Sequence, residues 1–292
     1  MSMQPQGSRQ NTRESLSLVD THCHLDAAEF AADRERVIAQ ALDAGVAMMV
    51  VPAVDPASFA AVSRLAAAEP RCVHALGIHP LYVEAAGEGA LATLAGALAA
   101  RAAVAVGEIG LDFYVEGRDR ALQERFFAAQ LGLARELDLP VLLHLRRAQD
   151  AVLAHLRRIR VCGGIAHAFN GSFQQANEFI RLGFKLGFGG AMTHERALRL
   201  RDLALRLPLA AIVLETDSPD MAPAWAPHSR NVPANLRRIA ETLAGLRGLP
   251  VADIASATTA NACAVLPGLA AALDAAARAD GAARRPPPAD MG

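Results

Sequence analysis

The chain alternates short apolar runs with longer amphipathic stretches. Eight such runs stand out: Leu16–His22, Val46–Val54, Cys72–His79, Ala103–Ile109, Pro140–Leu145, Gly164–Phe169, Phe184–Gly189 and Ala211–Thr216. Each is continuous enough to be a strand buried on both faces of a parallel sheet. Strands separated by helical stretches are βα units, and eight of them predict an α/β fold, a closed (β/α)8 TIM barrel. The intervening segments carry helix signals. In Arg118–Asp138, Leu122, Phe126, Leu133 and Leu137 share a face, with Phe127 and Leu131 beside it. Ser172 precedes a helix through Leu182 closed by Gly183, and Asn231-Val232-Pro233 opens one carrying Leu236, Ile239 and Leu243.

A chain of 292 residues holds one such barrel, which takes about 250 residues. The packed body is expected over residues 16–270. Residues 1–15 and the tail 271–292, which runs into Arg-Arg-Pro-Pro-Pro, offer little to bury and are expected to be disordered ends. No apolar run reaches the roughly 18 residues of a membrane span, and the first residues are polar, so a cytoplasmic protein is expected. The four cysteines are scattered with no CxxC pair, which argues against a zinc ribbon, a redox motif or a disulfide framework and reads as small buried side chains. A formal charge of −1 argues against nonspecific coating of nucleic acid, which relies on Lys and Arg, but leaves room for a local basic site.

Candidate chemistry collects at the strand ends. In Asp20-Thr21-His22-Cys23-His24, extended residues two apart point the same way, so His22 and His24 aim at one point and Cys23 away from it. Two neutral imidazoles suit Zn²⁺, Mn²⁺ or a similar ion, and a carboxylate would complete the site. Glu108 and Asp217 directly follow apolar strands, where an acid is costly without a compensating cation. His144 and His167 close two further strands. Active sites of this fold sit at the carboxyl face, so these residues converge when the barrel closes. Six ligands exceed one tetrahedral ion and predict two divalent ions, with one carboxylate bridging them and a water as nucleophile. Zn, Mn, Mg and Fe all suit these donors. Singly, each residue has a plainer reading as a helix cap, an ion pair or a hydrogen-bonded core histidine. Their joint placement favours ligands. His74, His155, His194 and His228 read as structural or surface residues.

The run Asp20-Thr21-His22-Cys23-His24-Leu25, with Gly107-Glu108-Ile109-Gly110-Leu111-Asp112, Leu143-His144, His167-Ala168-Phe169 and Leu214-Glu215-Thr216-Asp217-Ser218-Pro219, resembles the TatD family of metal-dependent deoxyribonucleases. The likeness extends over residues 18 to about 267. It implies that His22, His24 and Asp217 hold one ion, that His144 and His167 hold the second, and that Glu108 bridges them. Asp217 would also handle the proton of the attacking water. By the same likeness His79 lies near the scissile phosphate and Arg146 is a substrate contact after the fifth strand. Leu81 departs from the family pattern, which often has a second histidine there.

The function expected is therefore that of a metal-dependent hydrolase, a deoxyribonuclease that shortens DNA from its 3′ end or acts on nucleotides. An amidohydrolase acting on a small cyclic amide or ester is the alternative, because the same metals polarise a carbonyl. A noncatalytic metal-binding partner protein is the non-enzyme alternative. An open groove lined by charge points to the nuclease, and a narrow pocket without basic residues to the amidohydrolase.

Overall fold

The computed structural model describes residues 16–283 apart from Glu88 and Arg101; residues 1–15, and residues 284–292 of the predicted tail 271–292, lie outside the described residues. Eight strands, β1 (Leu18–Asp20), β2 (Val46–Pro52), β3 (Cys72–Leu76), β4 (Ala105–Asp112), β5 (Val141–Arg146), β6 (Gly164–Ala166), β7 (Phe184–Phe188) and β8 (Ile212–Leu214), form one parallel sheet in chain order. This is the predicted (β/α)8 barrel. The helices are α1 (Arg34–Asp43), α2 (Phe59–Ala68), α3 (Val83–Ala86), α4 (Ala90–Leu98), α5 (Arg120–Leu137), α6 (Gln149–Arg158), α7 (Phe173–Arg181), α8 (Leu198–Arg206), α9 (Leu236–Arg247), α10 (Val251–Val265) and α11 (Pro267–Ala283).

In every strand but β7, apolar side chains divide between two clusters. Val141 and Leu143 of β5, and Ile212 and Leu214 of β8, face the helices; Leu142, Ile165 and Val213 face the lumen together with Val19, Met48, Val50, Val73 and Ala105. Because the period is two, continuing the lumen-facing series by one step reaches His144, His167 and Glu215. The lower half of the lumen is therefore dry and its upper mouth polar.

Between β8 and β1 the barrel is joined by side chains and loop backbone. Thr21 donates to the Leu214 carbonyl through both its amide, 3.1 Å, and its hydroxyl, 3.0 Å. The buried Asp20 carboxylate accepts from the amide and hydroxyl of Thr216 at 2.9 and 2.6 Å.

Local signals agree with the predicted elements. Ser172 caps α7 in a capping box with Gln175. Asp119 accepts from Leu122 N at the start of α5, and Asp138 closes that helix at φ 52°. The inward face of α5 differs from the expected one: Gln123, Phe126, Phe127, Gln130, Leu131 and Ala134 are buried, whereas Leu122, Leu133 and Leu137 are only partly so. Hydrophobic periodicity passes over the two glutamines because their burial is polar. Gln130 bridges the amide and carbonyl of Ile78 at 2.7 and 3.1 Å, and Gln123 accepts from Asp112 N at 2.9 Å.

Two expectations change. Packed chain does not stop near residue 270: α11 runs to Ala283, and Leu269 and Ala276 are buried in the lumen cluster with Leu266 of the preceding turn. The Ala-rich sequence makes a small-residue helix face that fits beneath the barrel. Nor are all cysteines buried, since Cys162 is exposed and Cys263 half-buried. No helix among the described residues is long and apolar enough to cross a membrane.

Candidate metal centre

The chemistry-bearing residues converge at the carboxyl end of the lumen. Because β1 ends at Asp20, His22 and His24 lie in the loop just beyond it rather than in the strand, yet their Nε2 atoms point at each other, 3.3 Å apart. Glu108 Oε2 is 3.2 Å from His22 Nε2 and 3.8 Å from His24 Nε2. Asp217 sits past β8 at φ 56°, and its Oδ1 lies 3.8, 3.6 and 3.5 Å from the Nε2 atoms of His22, His24 and His167. The other oxygen of Glu108 lies 2.9 Å from His144 Nδ1 and 3.7 Å from His79 Nε2. Glu108 is thus common to two groups of ligand atoms, one with His22 and His167, the other with His79 and His144; His22, His24 and Asp217 make a third. His144 and His167 fall in different groups, on either side of Glu108.

Each of these two histidines is backed by a carboxylate that the sequence reading did not single out. Asp112 Oδ2 is 3.1 Å from His144 Nε2, and Glu215 Oε1 is 3.2 Å from His167 Nδ1. Such outer carboxylates fix the ring orientation and tautomer of a ligating histidine. Glu215 fits because residue 187 is glycine: a Cβ there would lie 2.1 Å from its Oε2. Both acids follow apolar strand residues, the signal that identified Glu108 and Asp217. Gly110 is required for a related reason, since at φ +147° a Cβ would meet the His144 carbonyl at 1.9 Å.

The charges are tightly balanced. Burial lowers His22 to about 3 against the pull of Glu108, so its imidazole is neutral. Burial alone would raise Glu108, but His22, His79 and His144 hold it well below the usual carboxylate range. His167 goes the other way: burial opposes the charge, yet Glu215 and Asp217 carry it up to about 10. Asp217 is pushed up by burial to about 6, with His167 and His24 opposing.

These donors suit divalent cations. His144 meets a carboxylate at both ring nitrogens; burial opposes its charge, but the bonds to Asp112 and Glu108 raise its pKa. When the ring is neutral with its proton directed to Asp112, a lone pair faces Glu108. At His22 and His24 two imidazole nitrogens face one another. Imidazole nitrogens and carboxylate oxygens gathered this closely form a donor set that matches a divalent cation. His79 differs. Leu81 N donates to its Nδ1 at 3.2 Å, so the neutral ring bears its proton on Nε2, directed at the site. Burial lowers its pKa to about 3. His79 is therefore built as a hydrogen-bond donor to something in the cavity rather than as a ligand.

The centre lies in a cavity of about 1130 Å³. Arg146, at the end of β5, lines its rim along with Arg147, Arg199, Tyr114 and Tyr82, all exposed. Of the remaining histidines, His74 pairs with Ser63 and His155 packs on Phe127, while His194 and His228 are exposed.

An eight-stranded barrel whose mouth gathers histidines and carboxylates in this way belongs to the metal-dependent hydrolases. The family model for the TatD-related DNases matches residues 19–267, and this chain belongs to that family. It is 41% identical over 246 residues to the uncharacterized metal-dependent hydrolase YjjV of Escherichia coli, covering 83% of this chain and 95% of YjjV. The crystal structure of that TatD homologue superposes with a TM-score of 0.82 at 40% identity, covering 86% of this chain and 98% of the other. Identity to the 3′-5′ ssDNA/RNA exonuclease TatD of Shigella flexneri is 34%, over 84% of this chain and 96% of that protein.

Proposed function

We propose that this hydrolase is a 3′-exonuclease that removes nucleotides from single-stranded DNA. The observation that carries the reading is the combination of the histidine and carboxylate cluster with the cavity above it. At about 1130 Å³ the cavity exceeds the roughly 300–1,000 Å³ of small-ligand pockets, and its rim carries three exposed arginines, Arg146, Arg147 and Arg199. A small cyclic amide needs neither. The name of the Shigella relative supports the same choice of substrate.

His22, His24 and Asp217 would hold one divalent ion, with His167 on the same side through its grouping with His22 and Glu108, and His144 would hold a second, with Glu108 shared. When bound, such ions supply countercharge to the phosphoryl oxygens and activate water at neutral pH. The protein's own groups do the rest. Asp217, at the meeting of His22, His24 and His167, takes the proton from the attacking water. The water oxygen joins phosphorus, the P–O3′ bond breaks, and its electron pair leaves on O3′, which takes up one proton in exchange for the one Asp217 accepted. His79 donates its Nε2–H to a phosphoryl oxygen, a contact its Nδ1 bond to Leu81 N keeps in place. Asp112 and Glu215 hold the His144 and His167 rings in register. Arg146 anchors the strand at the rim.

Metal-stripped protein given Mn²⁺ and a 5′-labelled single strand should produce a ladder that shortens from the 3′ end. Hydrolysis of a cyclic amide such as dihydrouracil, with no shortening of DNA, would replace this reading with the amidohydrolase.

A further inference from the structure

Just past β4, the amides of Tyr114 and Val115 both donate to Asp112 Oδ1, at 2.9 and 3.2 Å. The other oxygen of that carboxylate faces His144. The Tyr114 loop is thus tied to a carboxylate of the centre, while the ring itself stays 45% exposed on the cavity wall. Two consecutive arginines lie against it, the Arg146 guanidinium carbon 3.8 Å and that of Arg147 4.7 Å from the ring centroid. Neighbours in a strand point to opposite faces; Arg147, at φ 55°, turns the chain so that both reach one ring.

Neither guanidinium pairs with a carboxylate among the described residues, unlike Arg118 with Glu84, Arg157 with Glu178 or Arg206 with Asp202. Two charged forks held by an aromatic ring, without an anion and facing a cavity, are arranged for a phosphate. Arg146 and His144 stand two residues apart on β5, opposite Asp112 and Gly110 of β4, so they emerge on the same side about 6.6 Å apart. That step is comparable to the spacing of successive phosphates along one strand.

We propose that Arg147, Arg146 and Tyr114 form a subsite for the phosphate and base next to the nucleotide being removed, so that the enzyme recognises its substrate as a strand rather than as an isolated phosphodiester. The guanidinia take the phosphate, and the exposed aromatic and guanidinium planes offer stacking to an unpaired base of any sequence. The inference rests on the phosphodiesterase reading and adds two residues, Tyr114 and Arg147, together with a length requirement.

The test uses the full chain in two assays. In EDTA, fluorescence anisotropy of a labelled oligo(dT) six-mer should give a Kd raised about 10–100-fold by Tyr114→Leu or Arg147→Ala. For Arg147→Ala the slope of log Kd against log salt should fall by about 0.7, one single-strand phosphate contact. Wild-type Kd and slope in both variants, or no binding by the wild type, overturns the subsite. Separately, metal-loaded wild type is offered bis(p-nitrophenyl) phosphate and the six-mer. Cleavage of both, with the kcat/KM ratio of six-mer to small diester lowered in the variants, supports the subsite; an unchanged ratio removes it and leaves the phosphodiesterase standing. Cleavage of neither overturns the phosphodiesterase reading, and the subsite with it.

Discussion

The two ends of the barrel lumen are built from the same strands and do opposite work. At the amino end, Leu142, Ile165 and Val213 pack with Leu266, in the turn between α10 and α11, and Leu269 of α11 into an apolar cluster. One step along the same strands, His144, His167 and Glu215 meet Glu108 and Asp217 in a polar mouth. The alternation of a parallel strand delivers both, and the difference is where free energy is gained and where it is stored. Apolar burial stabilises the lower end by roughly 25 cal/mol per Å². The upper end collects charges that are costly to bury and that a cation offsets. Function and stability are thereby separated along one axis, as in other proteins whose active sites are locally unfavourable.

Changes at the two ends should therefore give contrasting results. The largest effect is expected at Glu108, shared by two ligand groups: Glu108→Gln should abolish turnover while circular dichroism remains that of the wild type. Next comes the opposite end, where Leu269→Ala should cost about 2–5 kcal/mol of stability, read by urea denaturation, with kcat of the folded protein unchanged. Equal loss of stability in both variants would erase the contrast. Glu215→Gln keeps the size of the side chain but removes the charge behind His167. It should weaken metal binding about 10–100-fold in a chelator competition, and wild-type affinity would show that Glu215 only fills the space left by Gly187.

A smaller effect is expected from Gln130→Ala. It leaves the Ile78 amide and carbonyl unpaired at about 1–3 kcal/mol, and it loosens the loop that carries His79, so KM should rise together with a lower Tm. Smallest is Asp33, whose two oxygens take Arg230 at 2.8 and 2.7 Å and tie the β8 loop to the β1 loop. The hydrogen bond from Arg230 depresses its pKa in the folded protein. Its stabilising contribution is therefore complete above the ordinary carboxylate range and lost as pH falls through the depressed folded value. Asp33→Asn should lower Tm at neutral pH and converge with wild type in acid.

The strands were legible because each is continuously apolar, and the ligand candidates because polar residues interrupt those runs at their ends. Legibility failed where a polar residue serves the interior. Gln123 and Gln130 are buried to satisfy backbone groups, so the apolar stripe drawn for α5 is displaced by about one position. Asp112 and Glu215 carried the same strand-end signal as Glu108 and Asp217, but their pairing with His144 and His167 is made between different strands, β4 with β5 and the ends of β8 and β6, which the local sequence does not display. Arg146 is singled out in the sequence and Arg147 is not, because the Tyr114 ring that holds both belongs to another βα loop. The tail beyond residue 270 looked too poor in large apolar residues to pack, whereas the barrel floor takes a face of Leu269, Ala272, Leu273 and Ala276.

The most direct test of the central claim, that one metal centre at the barrel mouth cuts nucleic acid, is a time course with a 5′-labelled single-stranded DNA. Metal-stripped wild type and Glu108→Gln protein are compared after separate addition of Mg²⁺, Mn²⁺ or Zn²⁺. The account predicts stepwise 3′ shortening by the wild type with at least one ion, and none by the variant or in EDTA. Intact DNA with every ion, or equal shortening by both proteins, would contradict it.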